Sequence, residues 1–378
     1  VIGLLAAFCF AAGPALQDPG QGQKRGAQSL VRPGDAIPAF VFEWNVDPLD
    51  PMRKSPKKFG VDNNIPWEFP WVMFGYARTG SRKAGEAPPQ PPPRARFRVY
   101  SQERKPDEDR AMPVCRMLLT MWDEARVRMG YDHSEQYDGQ IVDVFLCWGG
   151  KPGGEQRFDM TEEGGHSKAV NTIYVYDIDS FTVPMEMARE VAHEYGHAVL
   201  PAIGGYTEPE NWANGYLGEK VFLRWALEGM RAGRLTPADT MGATADDIAR
   251  WLAVNADPLV DKAAVTLPSR TYLNDLTASG MKKYIGLALY ADTILPDVVF
   301  GRSMRLTGST DAVDYPAAIV LAAEEPDQYD MRIPKSLANR PIWVPIGTGK
   351  LSGARILGRH GDWAQITAAE GPVHVVNR

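Results

Sequence analysis

His193-Glu194-Tyr195-Gly196-His197 is the stretch of this chain whose residue types and spacing could do chemistry. Two histidines four residues apart lie on one face of a helix, one turn from each other. Both imidazoles can then bind a single zinc ion at about 2.0–2.1 Å. Glu194 sits on the shoulder of that face, where it can stand beside a metal-activated water without occupying the metal. Zinc lowers the pKa of such a water toward about 7, and the carboxylate takes its proton. Gly196 is expected to keep bulk out of the space between the two ligands. Histidine is scarce, with six copies in 378 residues, so the pattern is seldom met by chance. The alternative is a solvated or core histidine pair.

The motif needs a helix, and Pro184–Leu200 reads as one, with proline in its first turn and Pro201 beyond its end. Ala188, Val191, Ala192, Tyr195 and Val199 make an apolar stripe, and Glu186, Glu190, His193 and His197 a polar one beside it. Upstream, Phe97–Ser101 alternates as a strand, and Arg110–Met129 repeats apolar residues at three- and four-residue steps. Ile141–Trp148 reads as a buried strand, Lys151–Ser167 as a Gly-rich loop and Thr172–Ile178 as another strand. Downstream, Trp212–Gly229, Thr244–Val254 and Met281–Ile294 are the clearest helices, and short strands follow from Arg340.

HExxH on a helix behind a strand, within a strand–helix–strand–strand–helix order, resembles the zincin metallopeptidases. The likeness spans roughly residues 97–300 and rests on that one specific motif. It implies that Thr172–Ile178 edges the cleft and pairs with extended substrate. The metzincin continuation is absent, because His197 is followed by Ala-Val-Leu-Pro-Ala-Ile-Gly-Gly. Trp212–Glu219 (WANGYLGE) resembles instead the WxNEGxxE stretch of the gluzincin group, with Gly215 where that group has its ligand Glu. Glu219, one turn later, is the expected third ligand, Glu210 in the loop before the helix is the alternative, and a site with neither stays open. Tyr284, in a stretch resembling the tyrosine-bearing helix of gluzincin aminopeptidases, is the candidate oxyanion donor, with His166 as the alternative. Aromatic core packing is the competing reading of Tyr284.

Composition narrows the class. Lysine and arginine number 41 against 47 acids, a net charge of −6, which argues against a nucleic-acid binder. With 44% hydrophobic and 23% charged residues the chain can form a core. No run is long enough to span a bilayer, so stable membrane insertion is not expected. Val1–Leu16 is apolar and uncharged, like the core of a secretory signal, which points to export. Cys115 and Cys147 could pair or could be two buried thiols.

The expectation is an α+β protein: a signal peptide (1–16), a leader, aromatic arm and Pro-rich linker (17–93), a zincin-like two-lobed metallopeptidase domain (94–338) and a small C-terminal β module (339–378). Zn2+ would be held by His193, His197 and Glu219, with Glu194 as general base acting on a peptide or protein substrate. Two rivals remain: a secreted binding or scaffold protein with a structural or degraded zinc site, kept alive by Gly215, and an adhesion or glycan-binding module using the arm and the β tail.

Overall fold

The computed structural model describes residues 40–45, 71–77, 96–101, 110–135, 141–163 and 166–377. The signal-like run, most of the leader and the Pro-rich linker lie outside the described residues.

A mixed sheet carries the first lobe. Its strands are β1 (Phe40–Asn45), β2 (Trp71–Ala77), β3 (Phe97–Ser101), β4 (Val142–Leu146), β5 (Gly153–Glu163) and β6 (His166–Tyr176), in the spatial order β1-β2-β3-β4-β6-β5. The neighbours β3, β4 and β6 run parallel, and the other pairs are antiparallel. β4 is buried along its whole length, as a central strand covered on both faces should be. Its Asp143 is tolerated there because Arg98 of β3 grips both carboxylate oxygens at 2.6 and 2.9 Å. Two stretches of the aromatic arm form β1 and β2 and extend this sheet.

The expected loop at 151–167 is instead mostly strand β5. It pairs with β6 from Gly153↔Tyr176 to Glu163↔His166. Among the described strands β5 therefore forms this edge of the sheet, and the stretch 172–178 assigned to the edge lies one strand inside it. β5 was hidden because Gly153-Gly154-Glu155-Gln156-Arg157 has neither apolar alternation nor β-branched residues.

Helix α1 (Ala111–Met129) follows β3, and α2 (Pro184–Val199) follows β6. Both pack on the sheet and against each other. In α1 the recurring residues Met117, Leu118, Met121, Trp122, Ala125 and Met129 are all buried. Gly130 ends it in the left-handed conformation at φ 72°. Cys115 and Cys147 are separate buried thiols.

The second lobe is helical: α3 (Asn214–Arg231), α4 (Ala245–Asn255), α5 (Asp257–Val265), α6 (Arg270–Leu273), α7 (Ala278–Ile294), α8 (Asp297–Arg305) and α9 (Tyr315–Glu324). α4 starts on a capping box in which Thr244 and Asp247 satisfy each other's backbone N–H.

The β module comprises β7 (Gln328–Ile333), β8 (Ile342–Pro345), β9 (Lys350–Ser352), β10 (Arg355–His360), β11 (Trp363–Thr367) and β12 (Gly371–Val376). These strands form two three-stranded sheets, β10-β11-β8 and β7-β12-β9. β7 pairs with β12 throughout, so the strand pairing of the module reaches back to Gln328. Tyr290 of α7 donates its hydroxyl to Trp343 O at 2.8 Å and ties the module to the helices. Among the described residues no helix is long and apolar enough to cross a membrane.

Candidate metal centre

Helices α2 and α3 cross with their backbones in contact. A Cβ at Gly196 would lie 2.5 Å from Asn214 O and 2.8 Å from Gly218 Cα. Gly196 thus serves the helix crossing, not the space between the histidines. The crossing sets the start of α3 beside the histidine face of α2.

Three ligand groups converge there. His193 Nε2 and His197 Nε2 are 3.2 Å apart. Glu210 reaches both, with Oε2 3.3 Å from His193 Nε2 and Oε1 3.6 Å from His197 Nε2. A tetrahedral metal with bonds of about 2.0–2.1 Å has ligand–ligand edges of about 3.3–3.4 Å. The nitrogen–nitrogen distance matches one such edge, and in this triangle of residues each nitrogen faces a different Glu210 oxygen, at 3.3 and 3.6 Å.

Two observations beyond the triangle test the fit. Asn214 Oδ1 accepts from His197 Nδ1 at 2.7 Å, while Asn214 Nδ2 donates to His197 O and Leu200 O. With the proton held on Nδ1, the lone pair of Nε2 is directed at the cluster, as in zinc–histidine sites. Gly215 lies so close that a Cβ there would sit 2.3 Å from His197 Nε2 and 2.4 Å from His193 Nε2. The backbone of α3 leaves room for the donor atoms only because this residue has no side chain. The residues present suit a zinc ion, and the cluster is a zincin-type HExxH metal site completed by the distal Glu210.

The electrostatics agree. Burial works against charge on His193, yet the Glu210 hydrogen bond and the charges of Glu194 and Glu210 outweigh it and raise its pKa. Burial would likewise raise Glu210, but its hydrogen bonds to both histidines hold it down at about 2. The centre favours positive charge among its donors.

Glu210 is delivered by a loop closed on itself. Ala213 N donates to Ile203 O at 2.8 Å, Tyr206 N to Asn211 O at 3.2 Å, and Gly205 N to Asn211 Oδ1 at 3.1 Å. The Trp212 ring packs on the backbone of Gly204.

Glu194 is 3% exposed, and its Oε2 has no hydrogen-bond partner among the described residues. Gly154, at the start of edge strand β5, covers it, and a Cβ at Gly154 would lie 2.5 Å from Glu194 Cγ. Burial pushes the Glu194 carboxyl up to about 8, against the opposing charge of His193.

Glu219, the expected third ligand, is placed elsewhere. One turn beyond Gly215, its carboxylate accepts from Arg189 Nη2 at 3.1 Å and from Lys220 Nζ at 2.5 Å. It joins α2 to α3 instead of facing the histidine nitrogens. Tyr284 is fully buried, with its ring 5.4 Å edge-on to that of Tyr315, so the core reading holds and its hydroxyl does not line a cleft. His166 opens β6, opposite Glu163. Sequence reasoning passed over Asn214, Tyr216 (edge-on to His193 at 4.7 Å) and Gly154. Asn214 carries a signal in retrospect, as a polar residue at the start of the helix after the motif. The chain matches no known family model and no curated protein sequence.

Proposed function

We propose that the protein is an exported, zinc-dependent metallopeptidase, with His193, His197 and Glu210 as the metal ligands and Glu194 as general base. The observation that carries this reading is a buried carboxylate with an unpartnered oxygen, one residue from a metal ligand. A purely structural zinc site has no use for such a group. Leaving a buried carboxylate oxygen unsatisfied costs stability, which a catalytic role accounts for.

Zinc bound at this site supplies Lewis acidity to a substrate carbonyl and acidity to a water. Glu194 accepts a proton from the water whose oxygen attacks the peptide carbonyl carbon. When the C–N bond breaks, Glu194 passes that proton to the leaving amine. Asn214 keeps His197 in one tautomer through the cycle, and Glu210 keeps both imidazoles facing the same point. β5 has no neighbour on its outer side among the described strands. An extended peptide adding to that edge gains main-chain hydrogen bonds and lies over Glu194 at Gly154. The apolar, uncharged run Val1–Leu16 supports export.

Metal analysis combined with a peptide-library digest tests the reading. Wild-type protein should contain about one zinc per chain and cleave peptides. Glu194→Gln should keep the metal and lose cleavage. Cleavage by Glu194→Gln at the wild-type rate would overturn the mechanism. Zinc without cleavage by the wild type would favour the non-catalytic zincin.

A further inference from the structure

A cavity of about 730 Å³ lies where α3, α4, α5 and α7 meet the edge of the β module. That volume is in the range of small-molecule sites, about 300–1,000 Å³. It is a different place from the metal centre. Arg224, which lines it, is nine residues beyond Gly215 on the same helix, about 13 Å along the axis.

Its polar groups are arranged in an uncommon way. Arg224 is largely buried, and its Nη1 is committed to Leu289 O at 2.9 Å, Thr293 Oγ1 at 2.6 Å and Asp292 Oδ2 at 3.4 Å. Asp292 is itself fixed by Trp225 Nε1 at 2.9 Å. These contacts hold the guanidinium rigidly by one nitrogen. Its Nε–Nη2 side makes no hydrogen bond among the described residues, and neither atom is sealed from solvent. That side is the fork that grips a carboxylate bidentately. Arg231 lies two turns further along the same face of α3 and also lines the cavity.

Asp257, at the start of α5, faces both arginines. Burial raises its carboxyl while Arg224 and Arg231 oppose the shift. No ion pair closes between Asp257 and either arginine, and Glu370 on the β-module rim also stands without one among the described residues. Opposite charges therefore face each other across open space, with Leu252, Val260 and Ile333 as apolar wall between them.

We propose that this cavity binds a small zwitterion with an apolar side chain, either a free α-amino acid or a short peptide. The carboxylate takes the Nε–Nη2 fork of Arg224 with Arg231 closing over it. The ammonium lies against Asp257 and Glu370, and the side chain rests on the apolar wall. This site does not depend on the peptidase reading.

Isothermal titration of the full chain tests it, on the Glu194→Gln background so that no probe is turned over. The probes are L-leucine and L-leucyl-L-leucine, with N-acetyl-L-leucine and L-leucinamide as analogues lacking one charge each. Saturable binding of at least one zwitterion is expected, about tenfold or more tighter than either analogue. Arg231→Gln and Asp257→Asn, both at exposed positions, should weaken it by about the same factor. His193→Ala should leave it unchanged. Comparing the two zwitterions tells which length the cavity takes. The proposal fails if neither zwitterion saturates, if Arg231→Gln and Asp257→Asn bind as the parent does, or if His193→Ala abolishes binding and so moves it to the metal centre.

Discussion

Gly215 presses the backbone of α3 against His197, so that a Cβ on this residue would stand 2.3 Å from Nε2. The same carbon would be 2.4 Å from His193 Nε2. A real Cβ cannot occupy that position unless the imidazoles move. The first prediction follows. Gly215→Ala should weaken zinc binding at least about 100-fold, more than loss of an outer hydrogen bond does. Competition with a chelator of known affinity measures it, and the circular dichroism spectrum should stay that of the wild type. Wild-type affinity in the alanine variant would show that the two helices have more slack than their glycine contacts imply.

With no side chain at 215, the carboxylate that stands beside the two histidines is that of Glu210. Glu210 spans the two histidines, whereas Glu219 is bound by Arg189 and Lys220. Exchanging each acid should therefore have opposite effects on zinc content. Glu210→Gln should lose zinc, and at neutral pH it should also lower the stability of the metal-free protein, because the carboxylate that the two histidines hold down at about 2 is gone. Glu219→Gln should keep about one zinc per chain but lower stability by about 2–3 kcal/mol, since it strands the buried Lys220 ammonium while the Arg189 half of the pair is partly solvated. Metal content of the two variants decides between them, with denaturant midpoints measuring the loss of stability. Normal zinc in Glu210→Gln with depleted zinc in Glu219→Gln would restore Glu219 as the ligand.

How far the sequence reveals this site depends on whether its parts are local. His193, Glu194 and His197 share one helical face, so their spacing alone encodes their geometry. The helix boundaries were legible for the same reason: α2 spans Pro184–Val199, as its terminal prolines and amphipathic stripe require. Glu210 was legible only as the alternative to Glu219, because it arrives on a loop whose shape depends on Asn211 and on hydrogen bonds to residues 203–206. Resemblance drew attention to the acid on the helix, and the carboxylate came from the turn before it. β5 was missed for a different reason. Its sequence is polar and glycine-rich because it is an edge strand that must pass within contact of Glu194, and neither feature leaves an apolar rhythm to read.

Glu194 also leaves a signature in the metal-free protein. Burial raises its carboxyl from 4.5 to about 8. Between those values the folded protein holds a proton that the unfolded chain has released. Stability must then fall as pH rises through that window, by up to about 1.4 kcal/mol per pH unit from this group. Glu194→Gln, which cannot ionise, should be the more stable protein at the upper end of the window and equal to the wild type at the lower end. Denaturant titrations of chelated wild-type and variant protein across the range give the difference directly. Parallel curves would mean that Glu194 ionises freely, and with that the case for a poised buried base would be lost.

The edge strand should matter to catalysis without touching the metal. Gly154 lies over Glu194, and an added methyl would meet Cγ at 2.5 Å, Oε1 at 2.6 Å and Cδ at 2.7 Å. These are the atoms that set where the carboxylate points, and Glu194 is too enclosed to swing aside freely. Gly154→Ala must therefore either tilt Glu194 or lift the start of β5. Both outcomes displace the base relative to a peptide lying on the strand. A misplacement of about 1 Å costs on the order of 100-fold in rate, so hydrolysis should fall about ten- to hundredfold while zinc content stays at the wild-type level. Gln156→Ala, two residues along the same strand, serves as the control for general damage to the edge. It removes the Gln156 Nε2 bond to Asn171 Oδ1 at 2.8 Å and leaves the cover of Glu194 in place. Equal losses of rate in the two variants would mean that Gly154 matters for the strand alone and not for the base beneath it.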